Sequence, residues 1–139
     1  MALSMATKQS VTQTALRTPL GRVRGLGSAK TGTHHWWMQR VTSIALLPLT
    51  IWFVLGAIGL AGASHAETRA WIGAPVNAVL LLALIGAAFH HMAAGLQVVV
   101  EDYVRPELRR MGLILVIKGG CALLALAAAL SVLRIAQAS

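Results

Sequence analysis

Acidic residues are scarce in this chain: four Asp and Glu stand against twelve Lys and Arg in 139 residues. Charge of either sign is sparse at 12%, while 57% of the residues are hydrophobic. A soluble domain carries roughly a quarter of its residues as charges to cover its surface, so this composition excludes that class. A single cysteine, Cys121, rules out a disulfide or a cysteine metal cluster within the chain. It lies in an apolar run and reads as a small packing residue. Aromatics are few and no ordered basic groove is visible, which argues against a nucleic-acid partner. The sequence also lacks a phosphate-cradling glycine loop, paired catalytic carboxylates and a nucleophile constellation.

What is present is a set of long apolar runs. They predict an all-α integral membrane protein, a bundle of three transmembrane helices over about residues 41–62, 71–100 and 113–135. Residues 1–33 form a polar basic tail with Lys8, Arg17, Arg22, Arg24 and Lys30 and no acid, and residues 34–139 form the membrane domain. The tail composition fits a mobile or partner-bound segment, and it also resembles a mitochondrial transit peptide. Trp36 and Trp37 stand before the first run like an interfacial belt, and Pro48 lies within it. Short connections are expected at 63–70 and 101–112, with Pro106 ending the second helix near Val104 or Arg105. Basic residues crowd the tail and the second connection, whereas the first connection has Arg69 alone. The positive-inside rule then puts the N-terminus and the 101–112 connection in the cytoplasm and the C-terminus on the other side. Three spans with no internal repeat exclude a self-contained inverted-repeat carrier.

Ionisable groups inside a span are costly and mark functional candidates. His91 and the pair Asp102 and Tyr103 lie at the end of the second run, eleven residues apart. Eleven helical steps return to within about 20° of one face and rise about 16 Å, roughly half a bilayer. One face thus offers an imidazole at depth and an acid and a phenol at the edge. His91 suits axial ligation of haem iron, or else hydrogen-bonds a neighbouring helix. His90 points about 100° away, so the two cannot serve one iron from the same face. Tyr103 suits a hydrogen bond to a quinone carbonyl and Asp102 a proton relay, or both simply form a solvated helix end. Small residues around the histidines (Gly86, Ala87, Ala88, Ala93, Ala94 and Gly95) let helices or a flat ligand come close. His34, His35 and Arg40 precede the first span; they either anchor the interface or pair with an anionic group, for which the guanidinium of Arg40 is the better shaped. Lys118 sits inside the third run and can snorkel towards the arginines.

The stretch from His91 through Gly95 to Asp102, Tyr103 and Val104 resembles the signature of the small hydrophobic anchor subunit of succinate dehydrogenase, the cytochrome b small subunit. The opening from His34 through Arg40 to Pro48 resembles the first span of the same family. The resemblance covers about residues 30–135. It implies half of a six-helix heterodimeric anchor, paired with a second cytochrome b membrane subunit and carrying an iron-sulfur subunit and a flavoprotein subunit. The flavin (FAD) and the iron-sulfur clusters belong to those partners, so this chain would be a non-catalytic subunit. By resemblance His91 is one axial ligand of a shared haem b, Tyr103 hydrogen-bonds ubiquinone and Asp102 supports that site. Arg40 and His34 would lie near the haem propionates or the quinone entrance. The tail resembles those of alphaproteobacterial members, which favours a bacterial inner membrane over a mitochondrial one. Two rivals stay open: a fumarate reductase anchor with reversed electron flow, and a cofactor-free three-helix scaffold.

Overall fold

The computed structural model describes Leu20 and residues 32–138; apart from Leu20, Gly32 and Thr33, the N-terminal tail lies outside the described residues. Among the described residues four helices follow one another: α1 (Gly32–Gly59), α2 (His65–Gly73), α3 (Pro75–Tyr103) and α4 (Glu107–Ala138). The described residues contain helix and turns and no strand. Three of the helices, over Trp36–Gly59, Pro75–Tyr103 and Glu107–Ala138, are long and apolar enough to cross a membrane. The all-α, three-span architecture expected from composition is therefore present.

The element boundaries differ from those expected, for local reasons. The first connection is largely helix, because Ser64 and Glu67 form a reciprocal capping box that starts α2. The Ser64 N–H donates to Glu67 Oε2 at 2.7 Å, and the Glu67 N–H donates to Ser64 Oγ at 3.3 Å. Those bonds to the charged form hold the Glu67 carboxyl below the usual glutamate range, the backbone bond first and the Ser64 hydroxyl second. Gly62 reverses the chain just before, at φ +84°, which a side chain adopts only with strain. The run expected as one span over 71–100 breaks at Ala74. Pro75 opens α3 and drives the residue before it to an extended ψ of 130°. Asn77 Nδ2 donates to the Trp71 carbonyl at 2.7 Å and secures this corner. At the other end, α3 stops at Tyr103 and α4 starts just after Pro106.

A small core of Ala78, Leu81 and Val132 is ringed by Trp52, Trp71, Ile72, Leu82 and Ile85. It joins α1, α2, α3 and α4 near the α1–α2 end. Trp52 and Trp71 stack at 5.4 Å between ring centroids. Gly56 permits this, since a Cβ there would stand 2.5 Å from Trp71 Cζ2. Most other large apolar side chains stay uncovered within the chain, such as Ile44 at 69% and Leu115 at 75% exposure. Surface of that kind, with backbone bonds closed inside each helix, requires lipid or neighbouring helices around it. The hydroxyls of Thr42, Ser43, Thr50 and Ser131 all donate back to carbonyls of the preceding turn, so none is left unpaired in an apolar setting.

Candidate functional site

The site is built where α1 crosses α3. Thr42 is the one buried polar residue among those described, at 8% exposure. Its Oγ1 lies 2.9 Å from the Met38 carbonyl oxygen and 3.0 Å from that of Gln39. The single hydroxyl proton is thus committed to the preceding turn of α1. The same oxygen lies 3.1 Å from His91 Nδ1, and with its proton spent it accepts from Nδ1–H. The Gln39 amide nitrogen, which can only donate, stands 3.4 Å from His91 Nε2. Both partners select the same tautomer, with the proton on Nδ1 and the lone pair on Nε2.

This arrangement follows from the helices. Gln39 and Thr42 lie on one face of α1, a single turn apart, and Gly95 lies one turn beyond His91 on α3. A Cβ at Gly95 would stand 3.5 Å from Gln39 Nε2, so the amide already fills the space that the glycine leaves. Gln39 Oε1 is buried with no hydrogen-bond partner among the described residues. A buried carbonyl oxygen of that kind signals a neighbour still to be supplied. Among the described residues no group of three His, Cys, Asp or Glu side chains could hold a metal ion by itself. His91 is thus a single imidazole oriented by Thr42, with its Nε2 facing the Gln39 amide nitrogen at 3.4 Å.

The other residues singled out from sequence are placed apart from it. Asp102 and Tyr103 form the last turn of α3, about 16 Å along the axis from His91, and both are exposed. Tyr103 is 83% exposed, so its phenol is offered entirely to whatever lies outside this chain. Arg40 is exposed in the first half of α1, and its guanidinium lies 4.6 Å above the centre of the Trp36 ring. His34 is exposed near the start of α1, while the side chain of His35 lies outside the described residues. His90 faces away from His91, into the groove between α3 and α4. Gln39 and Thr42 were not singled out from sequence, although polar residues one turn apart at the head of an apolar helix were the available signal.

A family profile described as succinate dehydrogenase/fumarate reductase transmembrane subunit matches residues 14–130. The succinate dehydrogenase hydrophobic membrane anchor subunit of Rickettsia bellii is 32% identical over 103 residues, 73% of this chain and 82% of that protein. The protein of the same name from Paracoccus denitrificans is 30% identical over 110 residues, 79% of this chain and 85% of its own length. The succinate dehydrogenase membrane anchor subunit of Reclinomonas americana is 28% identical over 92 residues, 64% and 77% of the two chains. No solved structure matches the chain. The profile spans all of α1, α2 and α3 and most of α4, and with it the paired His91 and Asp102–Tyr103 positions: the chain belongs to the succinate dehydrogenase/fumarate reductase transmembrane subunit family.

Proposed function

We propose that this chain is the hydrophobic membrane anchor subunit of succinate:ubiquinone oxidoreductase, in which it helps to bind haem b and ubiquinone. The anchor role is supported by the family and by three helices able to span a membrane. Relatives named for succinate dehydrogenase favour succinate oxidation over the reverse reaction. A cofactor-free scaffold would use His91 as a bridge to α1; the observation that carries the haem reading is that Thr42 fixes Nδ1 while Nε2 is met only by the Gln39 amide, at 3.4 Å.

The residues present fit a haem, whose iron His91 would hold. Thr42 holds the Nδ1–H of His91 and leaves the Nε2 lone pair for iron, an orientation that outer hydrogen bonds commonly impose on ligating histidines. Rotation of the Gln39 side chain replaces a 3.4 Å contact and gives its buried carbonyl oxygen room to find a partner. A second cytochrome b subunit would supply the other ligand. A haem held there supplies one-electron redox chemistry in a low-dielectric setting. Arg40, and more weakly His34, supply positive charge on the same stretch of α1 for a propionate or the quinone entrance.

At the far end of α3 the exposed phenol of Tyr103 donates a hydrogen bond to a quinone carbonyl. Asp102, beside it and open to water, takes a proton from solvent and passes it towards the reduced head group. The iron-sulfur subunit closes this site from outside the membrane, with the flavoprotein beyond it. In a bacterial inner membrane the positive-inside rule puts that end of α3 and the N-terminus in the cytoplasm.

Removal of this chain from its native host tests the anchor role. Succinate oxidation by a soluble dye is expected to leave the membrane fraction, and succinate-supported reduction of a ubiquinone analogue is expected to vanish. Full quinone reduction by membranes lacking the chain would overturn the reading.

A further inference from the structure

Both ring nitrogens of His91 are held by α1, but the two holds differ in how readily they part. At Nδ1 the partner is the buried Thr42 hydroxyl, itself tied to carbonyls of its own helix at 2.9 and 3.0 Å. A short side chain anchored in this way keeps its place. At Nε2 the partner is the Gln39 amide nitrogen at 3.4 Å, the long end of the hydrogen-bond range. Gln39 is half-buried, and its long side chain keeps rotamers to choose from. Its backbone is fixed, because its carbonyl accepts from Thr42 and Ser43 at 3.0 and 2.7 Å. Movement at this position is therefore confined to the side chain.

The Gln39 amide is also poorly balanced. Among the described residues its nitrogen meets His91 alone, and its carbonyl oxygen is buried with no partner. A sealed, unpaired acceptor costs the desolvation of that group, which one long bond at the nitrogen offsets only in part. The position that closes over Nε2 is thus weakly held. It also excludes any other use of that nitrogen. With the proton on Nδ1, Nε2 carries one lone pair in the ring plane. That lone pair accepts from Gln39 or binds a metal ion, and cannot do both.

We infer that Gln39 is a displaceable cap on His91, a positioning residue that satisfies Nε2 and seats the ring against α1 until the lone pair is given to haem iron. The inference rests on the haem reading of His91 and adds a control on how the site is loaded. Thr42 orients the ring throughout, and Gln39 sets how readily Nε2 is released. A closed cap lowers the rate of haem capture in proportion to the time it spends closed. Once swung out of the joint it has no hold on the loaded site, so it leaves the rate of haem loss alone.

The test uses the whole complex assembled in haem-deficient cells and purified in mild detergent, with variants of this chain. Gln39→Leu keeps an apolar side chain of similar bulk and removes the amide. Added haem is expected to be captured about fivefold faster in Gln39→Leu than in the parent, read by growth of the b-type band. Its loss to an apoprotein acceptor is expected to stay within about twofold of the parent rate on the same reasoning. A residue that only packs the joint would quicken the loss and leave the capture unchanged. A second readout needs no haem: the reaction of His91 with diethyl pyrocarbonate in the haem-deficient complex, located by mass spectrometry. That reagent attacks the imidazole lone pair, so labelling is expected to run severalfold faster in Gln39→Leu. Should Gln39→Leu not assemble, Gln39→Ala is expected to give the same results. Equal capture rates, equal labelling, or faster loss without faster capture would overturn the inference and leave the haem reading standing. A parent complex that takes up no haem would overturn both.

Discussion

His90 and His91 are neighbours in sequence and stand in opposite surroundings. His91 is held at both ring nitrogens by Thr42 and Gln39 of α1, in a joint that closes one tautomer. His90 is exposed and borders an open groove shared with Lys118 of α4. The same chemical group is an oriented imidazole on one face of α3 and a polar flank on the other. Helix rotation decides which, because about 100° separates successive side chains. The comparison teaches that a histidine in a membrane helix gains a role from what fixes its second nitrogen.

The strongest way to break the comparison is to exchange the two surroundings. His91→Ala is expected to lower haem content of the purified complex at least ~10-fold, because no other oriented imidazole is available on that face. His90→Ala is expected to leave haem content within about twofold on the same reasoning. Thr42→Val then sharpens it, by removing the hydroxyl while keeping the shape. The stranded Nδ1–H is expected to weaken haem retention ~10–100-fold, the usual range for loss of such an outer partner, as read by haem loss to an apoprotein acceptor. Retention as tight as in the parent would show that Thr42 packs against His91 without orienting it.

Further along the His91 face, Tyr103→Phe is expected to slow ubiquinone reduction about tenfold, the worth of one hydrogen bond of about 1.4 kcal/mol, with haem content unchanged. Unchanged turnover would remove Tyr103 from the quinone site. At the opposite end of α1, Gly56→Ala forces Trp71 out of its stack with Trp52. Overpacking of that kind is expected to destabilise the bundle by about 1–3 kcal/mol, read by thermal unfolding in detergent, without moving the haem spectrum. The smallest effect belongs to the cap of α2, outside both faces. The Glu67 carboxyl is held below its ordinary value, so its contribution is complete above that ordinary value and is lost as pH falls through the lower, folded one. Hydrogen exchange at the start of α2 is expected to quicken in that acid window and to be insensitive to it in Glu67→Gln.

The three spans were legible because apolar runs of bilayer length have few other uses. Their ends were less so. The capping box at Ser64 and Glu67 and the helix-opening Pro75 are local signals lying inside what hydropathy alone joins into a loop and a single run. Spacing could place His91 on the face of Asp102, but not tell which helix that face meets. That depends on how α1 and α3 pack, and so Gln39 and Thr42 became partners of His91 only in three dimensions. The polar lining of the α3–α4 groove was hidden for the same reason: Gln97 and Lys118 share no helix, and only packing brings them to one groove.

The central claim is that His91, and not His90, is the nitrogen ligand this chain contributes. Its most direct test is a dithionite-reduced minus oxidised spectrum of the intact complex, recorded for the parent, His91→Ala and His90→Ala. The account predicts a b-type band in the parent and in His90→Ala and its loss in His91→Ala. A band that survives His91→Ala, or one that disappears with His90→Ala, would contradict it.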